Sequence, residues 1–147
     1  MKKKNLMKIF PIVAFVLSGC MNIPQIPYVI TMPQCHVGSL DENYKISGIH
    51  FTMYNNSSKQ IKNFSCKCMI FDTEGNNPFI GSNCIISKFD EVISSNNERQ
   101  VIINLDPYLN YVPDAPFVVD NFYISKIVYS DGSVWKDTFG TFLQGGL

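Results

Sequence analysis

The sequence IKNFSCKCMIFDTEG, residues 61–75, carries the pattern that decides the fold. Apolar and polar side chains alternate along it, and the apolar set on one side is Phe64, Cys66, Cys68 and Ile70. A period of two is typical of a β-strand, because successive side chains point to opposite faces of a sheet. The run Asp72–Pro78 that follows is rich in turn-forming residues. This stretch therefore predicts a strand with one buried face, closed by a turn.

Two further stretches show the same alternation, one on each side of this strand. The apolar face is Ile49, Phe51 and Met53 in YKISGIHFTMYNN (44–56), and Val101, Ile103 and Leu105 in RQVIINLD (99–106). The apolar residues before Gly48 are out of phase with those after it, which predicts a β-bulge or bend at the glycine. A further strand is expected to cover Phe79–Lys88. Since no stretch of useful length has a helical period, the sequence predicts an all-β fold.

The stretch FYISKIVYSDGSVWKDTFGTFL, residues 122–143, predicts a β-hairpin. Asp131 and Gly132 separate two β-rich runs, as expected for a two-residue type I′ turn in which both residues have positive φ. In that register Lys126 faces Asp137 as a cross-strand ion pair. Trp135 together with Tyr129 is compatible with a platform for a ligand, although packing between aromatic and β-branched side chains is the more common role.

The order of these segments resembles a known domain family. An early strand is followed by NNSSKQIKNF (55–64), CKCMIFDTEGN (66–76) and ISSNNERQVIINL (93–105). This order is similar to the FxLYD type of immunoglobulin-like bacterial domain, although Cys68 replaces its first aromatic residue and Phe71 its tyrosine. The resemblance implies a single immunoglobulin-like β-sandwich of about seven strands, which we assign to residues 44–147. It implies no catalytic residues.

The N-terminus has the pattern of an export signal. Four lysines within the first eight residues precede the short apolar run Ile9–Leu17, which is too short to cross a bilayer as a helix. Leu17-Ser18-Gly19-Cys20 then resembles the bacterial lipobox. The resemblance implies that residues 1–19 are removed and that Cys20 carries the lipid, a stable anchor when more than one acyl chain is attached. We expect the protein to be attached to the outer or the cytoplasmic membrane, with its domain in the periplasm or at the cell surface.

Residues 20–43 contain Pro24, Pro27 and Pro33, which favour an extended chain. They are interpreted as the lipidated N-terminus followed by a spacer. The apolar segment Tyr28–Met32 leaves a second interpretation open, in which it is an edge strand that lies along the domain.

The charge of the mature chain limits its partners. The full sequence has 12 basic and 12 acidic side chains, and loss of the four signal lysines leaves 8 basic against 12 acidic, a formal charge of −4. A mildly acidic protein without a cluster of lysine or arginine is not expected to bind nucleic acid or to dock electrostatically on anionic lipid. The lipid on Cys20 is the expected attachment to the membrane.

The four remaining cysteines, Cys35, Cys66, Cys68 and Cys84, leave three interpretations open. An even number in an exported protein favours disulfides, and we expect a bridge that includes Cys84 and either Cys66 or Cys68. Buried free thiols are the second interpretation. The third is a metal site in which His36 or Cys35 joins the other three, although Cys-x-Cys on a strand lacks the usual zinc-knuckle spacing.

The sequence contains none of the common catalytic motifs. His36 and His50 are the histidines that could act as a base near neutral pH, and both are expected to be ordinary surface or hydrogen-bonded residues. We expect no enzyme activity, cofactor or metal, and a non-catalytic interaction or envelope-assembly module with a protein partner. The alternative is a small-ligand- or metal-binding lipoprotein. An exposed apolar edge strand would favour the protein partner, and a concave polar-aromatic pocket would favour the ligand.

Overall fold

The computed structural model describes residues 25–38 and 43–142, which form two antiparallel sheets. Their strands are β1 Tyr28–Ile30, β2 Gln34–Val37, β3 Ser47–Asn55, β4 Ile61–Phe71, β5 Cys84–Phe89, β6 Glu98–Asn104, β7 Val118–Tyr129 and β8 Val134–Lys136. A short 3-10 helix at Asp106–Tyr108 follows β6. Within the described residues, no helix is long and apolar enough to cross a membrane.

One sheet has β3 in its centre, with β6 on one side and both β1 and β2 on the other. The second sheet has the order β5-β4-β7-β8. The predicted all-β sandwich is confirmed, and it has about seven strands when β1 and β2 are counted as one edge strand.

The two short strands are the halves of an edge that a bulge interrupts. Ile30 pairs with Met53 and Gln34 with His50, so three residues on the edge lie opposite two on β3. Thr31 bridges this gap, because its N–H donates to the Thr52 carbonyl and its hydroxyl accepts from the Thr52 N–H. Of the two interpretations of Tyr28–Met32, the edge strand is therefore the one observed.

The core lies between the inner faces of the two sheets. Phe64, Cys66, Cys68 and Ile70 are fully buried on β4, and Ile49, Phe51 and Met53 are buried on β3. These are the apolar faces that the sequence alternation predicts. Each fully buried large aliphatic or aromatic side chain contributes about 1.5–3 kcal/mol relative to exposure.

Gly48 does not lie at a bulge, contrary to the prediction. It pairs in regular register with Asn104 on one side and His36 on the other. The reason for glycine is the aromatic ring of Tyr44, since a Cβ at position 48 would lie 2.5 Å from the Tyr44 Cδ1. The change of phase before Gly48 therefore coincides with the Tyr44 ring, which folds back over β3 at the glycine.

The hairpin has a three-residue loop, not the predicted two-residue turn. Val128 pairs with Val134 and Lys126 with Lys136, so the register is shifted by one residue. The Gly132 N–H donates to the Tyr129 carbonyl, and Gly132 has a φ of 82°. This is the type I turn followed by a left-handed glycine that typically closes three-residue hairpins.

The shift also removes the predicted ion pair between Lys126 and Asp137. Asp137 is buried, and its carboxylate accepts hydrogen bonds from the N–H groups of Thr141 and Phe142 at 2.9 and 3.0 Å. Its role is to fix the segment after β8. The strand predicted to cover Phe79–Lys88 is also shorter than predicted, since it runs from Cys84 to Phe89.

Candidate functional site

The strands connect two ends of the sandwich that differ in chemistry. The basal end contains the first described residues, the turn between β3 and β4, residues 94–97 and the β7–β8 hairpin. The apical end contains the loops 72–83 and 105–117. Since β7 has 12 residues, the two ends lie about 40 Å apart at about 3.3 Å per residue.

The four cysteines of the described residues are all free thiols. The predicted bridge from Cys84 to Cys66 or Cys68 is absent, and the strand register gives the physical reason. Cys84 lies opposite Met69 on the outer face of its sheet, whereas Cys66 and Cys68 face the core. A disulfide needs Cβ atoms about 3.5–4.5 Å apart, and side chains on opposite faces of a sheet point away from each other.

Burial also makes the two core thiols poor nucleophiles. Burial, with a smaller contribution from Cys68, raises the pKa of Cys66 far above its usual value, and burial raises the pKa of Cys68 to about 12. The thiolate is the reactive and metal-binding form of cysteine, and it is scarce at neutral pH in such an environment. These residues act as small apolar side chains of the core.

The metal site considered from the sequence is not assembled. Cys35 and His36 belong to β2 in the other sheet, and the Cys35 Sγ lies 3.4 Å from the Ser47 hydroxyl. No group of three or more histidine, cysteine or acidic side chains in the described part of the chain is arranged to hold a metal ion.

His36 and His50, which the sequence places far apart, lie together on the outer face of the first sheet. Their ring centroids are 4.6 Å apart in an edge-to-face arrangement. The His50 Nε2 is 3.0 Å from the Tyr44 hydroxyl, and the Tyr44 ring covers Gly48. The arrangement is a packed aromatic cluster in which Tyr44 holds His50 by a hydrogen bond.

A concave site, which we call the basal groove, opens at the basal end with a volume of about 680 Å³. Its lining residues are Gln25, Pro27, Asn56, Ser57, Ser58, Lys59, Ser95, Asn96, Tyr129, Ser133, Val134 and Trp135. The buried side chain of Asn55 organises its floor. The Asn55 Nδ2 donates to the carbonyls of Lys59 and Ile93 at 2.7 and 3.0 Å, and its Oδ1 accepts from the Ser57 N–H.

The two charged residues at the basal groove neutralise each other. The Lys59 Nζ lies 2.8 Å from the Asp131 carboxylate and 5.6 Å from the centre of the Tyr129 ring. The hydrogen bonds from Lys59 and Ser133 hold the pKa of Asp131 well below its usual range. Burial raises the pKa of Tyr129, so its hydroxyl stays neutral and can both donate and accept.

A second surface, which we call the apical patch, consists of Ile80, Tyr108, Tyr111, Val112 and Val118, all exposed. Beneath it, the Phe79 ring packs against Tyr108 and Phe117 with centroids 5.6 and 5.8 Å apart. A depression of about 270 Å³ lies between the two loops. The loops 72–83 and 105–117 contain four acidic residues and no lysine or arginine. The two loops that carry the apical patch therefore combine exposed apolar side chains with four acidic residues.

The apical patch was not predicted from the sequence, and of the basal groove only Trp135 and Tyr129 were indicated, as the less common alternative of a ligand platform. The segment PYLNYVP, residues 107–113, does carry a signal for the apical patch, because exposed aromatic residues between prolines are unusual in a simple connecting loop. Cys20 and the signal lie in residues 1–24, outside the described residues. Comparison of the chain with protein-family models, with curated proteins and with solved structures gave no match.

Proposed function

We propose that this protein is a bacterial envelope lipoprotein, anchored through Cys20, that acts as a non-catalytic protein-interaction module. The lipobox pattern Leu17–Cys20 and the FxLYD-type resemblance support the anchor and the class of domain. The observation that carries the interaction role is the apical patch, since soluble domains rarely expose a contiguous apolar surface without a binding function.

The position of the patch relative to the anchor supports this role. Four residues lie between Cys20 and Gln25, and the five Cα-to-Cα steps that join them reach about 17 Å at most in an extended chain. The observed edge strand thus leaves a tether much shorter than the predicted spacer of residues 20–43. A lipid on Cys20 would keep the basal end close to the bilayer and present the apical patch on the far side, where it can meet a partner.

The chemistry of the patch defines the partner. Ile80 and Val112 offer aliphatic contact, while Tyr108 and Tyr111 combine a large apolar ring with a hydroxyl, as is typical of residues that dominate binding energy. Asp114 is exposed in the same loop. We propose a protein partner with an apolar contact surface surrounded by lysine or arginine, because opposite charge at a rim speeds association and selects the partner.

Site-specific photo-cross-linking in intact cells tests this proposal. A benzophenone side chain at Tyr111 should give a discrete adduct with one envelope protein. The adduct should diminish when Ile80→Ser is added, and also when Asp114→Lys reverses the charge at the rim. The matched control is Val92, a similarly exposed apolar residue at the other end of the sandwich.

The same adduct from position 92 would contradict the assignment of the apical patch. So would an adduct at position 111 that is insensitive to both Ile80→Ser and Asp114→Lys, because such an adduct would report proximity rather than a specific interface.

A further inference from the structure

Some polar side chains of the basal groove make hydrogen bonds within the protein, and others do not. The hydroxyls of Ser57, Ser95 and Ser133 are used within the protein, by the Asn55 Oδ1, the Ser57 carbonyl and the Asp131 carboxylate respectively. The other polar side chains of the lining make no hydrogen bond within the part of the chain that the structure describes; they are Gln25, Asn56, Ser58 and Asn96. The internal bonds fix the shape of the groove, and the second group is free to bind a ligand.

The electrostatics of the groove select against a charged ligand. Lys59 is compensated by Asp131 at 2.8 Å and also donates to the Ser133 hydroxyl at 2.8 Å. A phosphate or carboxylate would have to compete with Asp131 for Lys59, and a cation would have to compete with Lys59 for Asp131. The three amides and one hydroxyl that remain are neutral donors and acceptors.

Trp135 supplies the apolar wall. It is half-buried, and it faces the core side of β8 opposite Ile127. The Tyr28 ring meets it edge-on at 5.6 Å and Phe142 lies 6.0 Å away, so both neighbours hold the indole in place. A fixed aromatic wall suits the apolar C–H face of a ligand whose other groups are polar.

We propose that the basal groove binds a neutral saccharide, with one sugar ring against Trp135 and its hydroxyls on the amides of Asn56 and Asn96. A sugar combines an apolar C–H face with many neutral donors and acceptors, which matches this lining. The volume of about 680 Å³ falls within the range of about 300–1,000 Å³ that is typical of small-molecule sites, and it has room for a short oligosaccharide. The site is independent of the apical patch, which lies at the other end of the sandwich.

Tryptophan fluorescence of the full-length chain tests the proposal directly, because Trp135 is the one tryptophan in the sequence. The chain, kept in a detergent without a sugar head group, is titrated with trimers of N-acetylglucosamine, glucose and mannose. At least one neutral trimer should change the emission saturably. A trimer of galacturonate, which carries carboxylates, should bind more weakly than that neutral trimer.

The double variant Asn56→Ala/Asn96→Ala should weaken binding at least about tenfold, as expected for the loss of two hydrogen bonds. Asn110→Ala, at the apical end, is the matched control and should leave binding unchanged. The proposal is overturned if none of the three neutral trimers changes the emission, if galacturonate binds best, or if the double variant binds as well as the control. Photo-cross-linking at Tyr111 tests the apical end of the sandwich. A negative result for saccharide binding is therefore distinguishable from a negative result for the proposed protein-interaction function.

Discussion

Replacing Gly48 with alanine tests the packing of Tyr44 over the first sheet. The added Cβ would lie 2.5 Å from the Tyr44 Cδ1 and 2.6 Å from its Cε1, whereas carbon atoms in contact normally lie about 3.5–4.0 Å apart. The ring would have to move by about 1 Å to restore that distance. Tyr44 is buried and its hydroxyl lies 3.0 Å from the His50 Nε2, so this movement disturbs an ordered cluster.

The expected cost is that of overpacking, about 1–3 kcal/mol. For a domain of this size unfolded in urea, with a slope of about 1–3 kcal/mol per molar, this corresponds to a fall in the midpoint of about 1 M. The assay is equilibrium urea unfolding followed by circular dichroism, with the wild-type and variant slopes compared.

Two backgrounds separate the clash from other effects of alanine. In Tyr44→Phe the ring remains, and Gly48→Ala should cost as much as in the wild type. In Tyr44→Ala the ring is gone, and Gly48→Ala should be neutral or stabilising by about 0.5–1 kcal/mol, since glycine is unfavourable within a strand. An equal loss in both backgrounds, or no loss in the wild type, would refute the role assigned to Tyr44.

Three further changes test other elements of the molecule. Cys20→Ser should leave the precursor uncut by the lipoprotein peptidase and remove the detergent-phase partitioning of the mature protein, and a variant that is still cut before residue 20 and still partitions would disprove the lipobox interpretation. Gly132→Val should cost about 1–3 kcal/mol, because a β-branched residue is forced to the positive φ of the hairpin glycine; a urea midpoint equal to that of the wild type would place the turn elsewhere. Burial opposes ionisation of Asp106, but the N–H groups of Lys45, Ile46 and Ser47 outweigh it and lower the pKa of its carboxyl. A lowered folded-state pKa stabilises the protein above about pH 4 and the gain is lost as the pH falls, so Asp106→Asn should lower stability at pH 7 and flatten its fall in acid, as urea midpoints from pH 7 to pH 3 would show.

The buried faces of β3, β4 and β6 could be predicted because alternation is a local property that burial enforces on every second residue. The hairpin register could not be predicted from Asp131 and Gly132 alone. The pair Asp131-Gly132 is compatible with a two-residue turn and with a three-residue loop. Which of the two forms depends on the residue of β8 that pairs with Ile127. The observed register differs from the predicted one by a single residue. As a result, Asp137 is a buried cap of the segment after β8 and not the surface ion-pair partner of Lys126.

The apical patch, and the basal groove beyond Tyr129 and Trp135, could not be predicted from the sequence for a different reason. Each is made by segments that are distant in the chain, such as Pro78–Ile80 and Pro107–Tyr111 at the apical end. Local patterns give the strands, but which loops meet at each end depends on strand order. The predicted disulfide is absent for a similar reason. The spacing of Cys68 and Cys84 in the sequence suits a bridge, but the strand register places their side chains on opposite faces of the sheet.

We expect the two surfaces of this small sandwich to act separately, because a buried core lies between them. Protein interiors are close-packed, and substitutions more than about 10 Å apart that share no partner usually have additive effects. About 40 Å of strand separates Tyr111 from Asn56, and the inner face of β4 between them carries Phe64, Cys66, Cys68 and Ile70, which are all buried in the core. Coupling between partner binding at the apical patch and saccharide binding at the basal groove would therefore require a rearrangement of this core. Independent binding at the two ends is what the packing favours, so one domain could hold a partner on its far side while its membrane-facing side contacts a glycan.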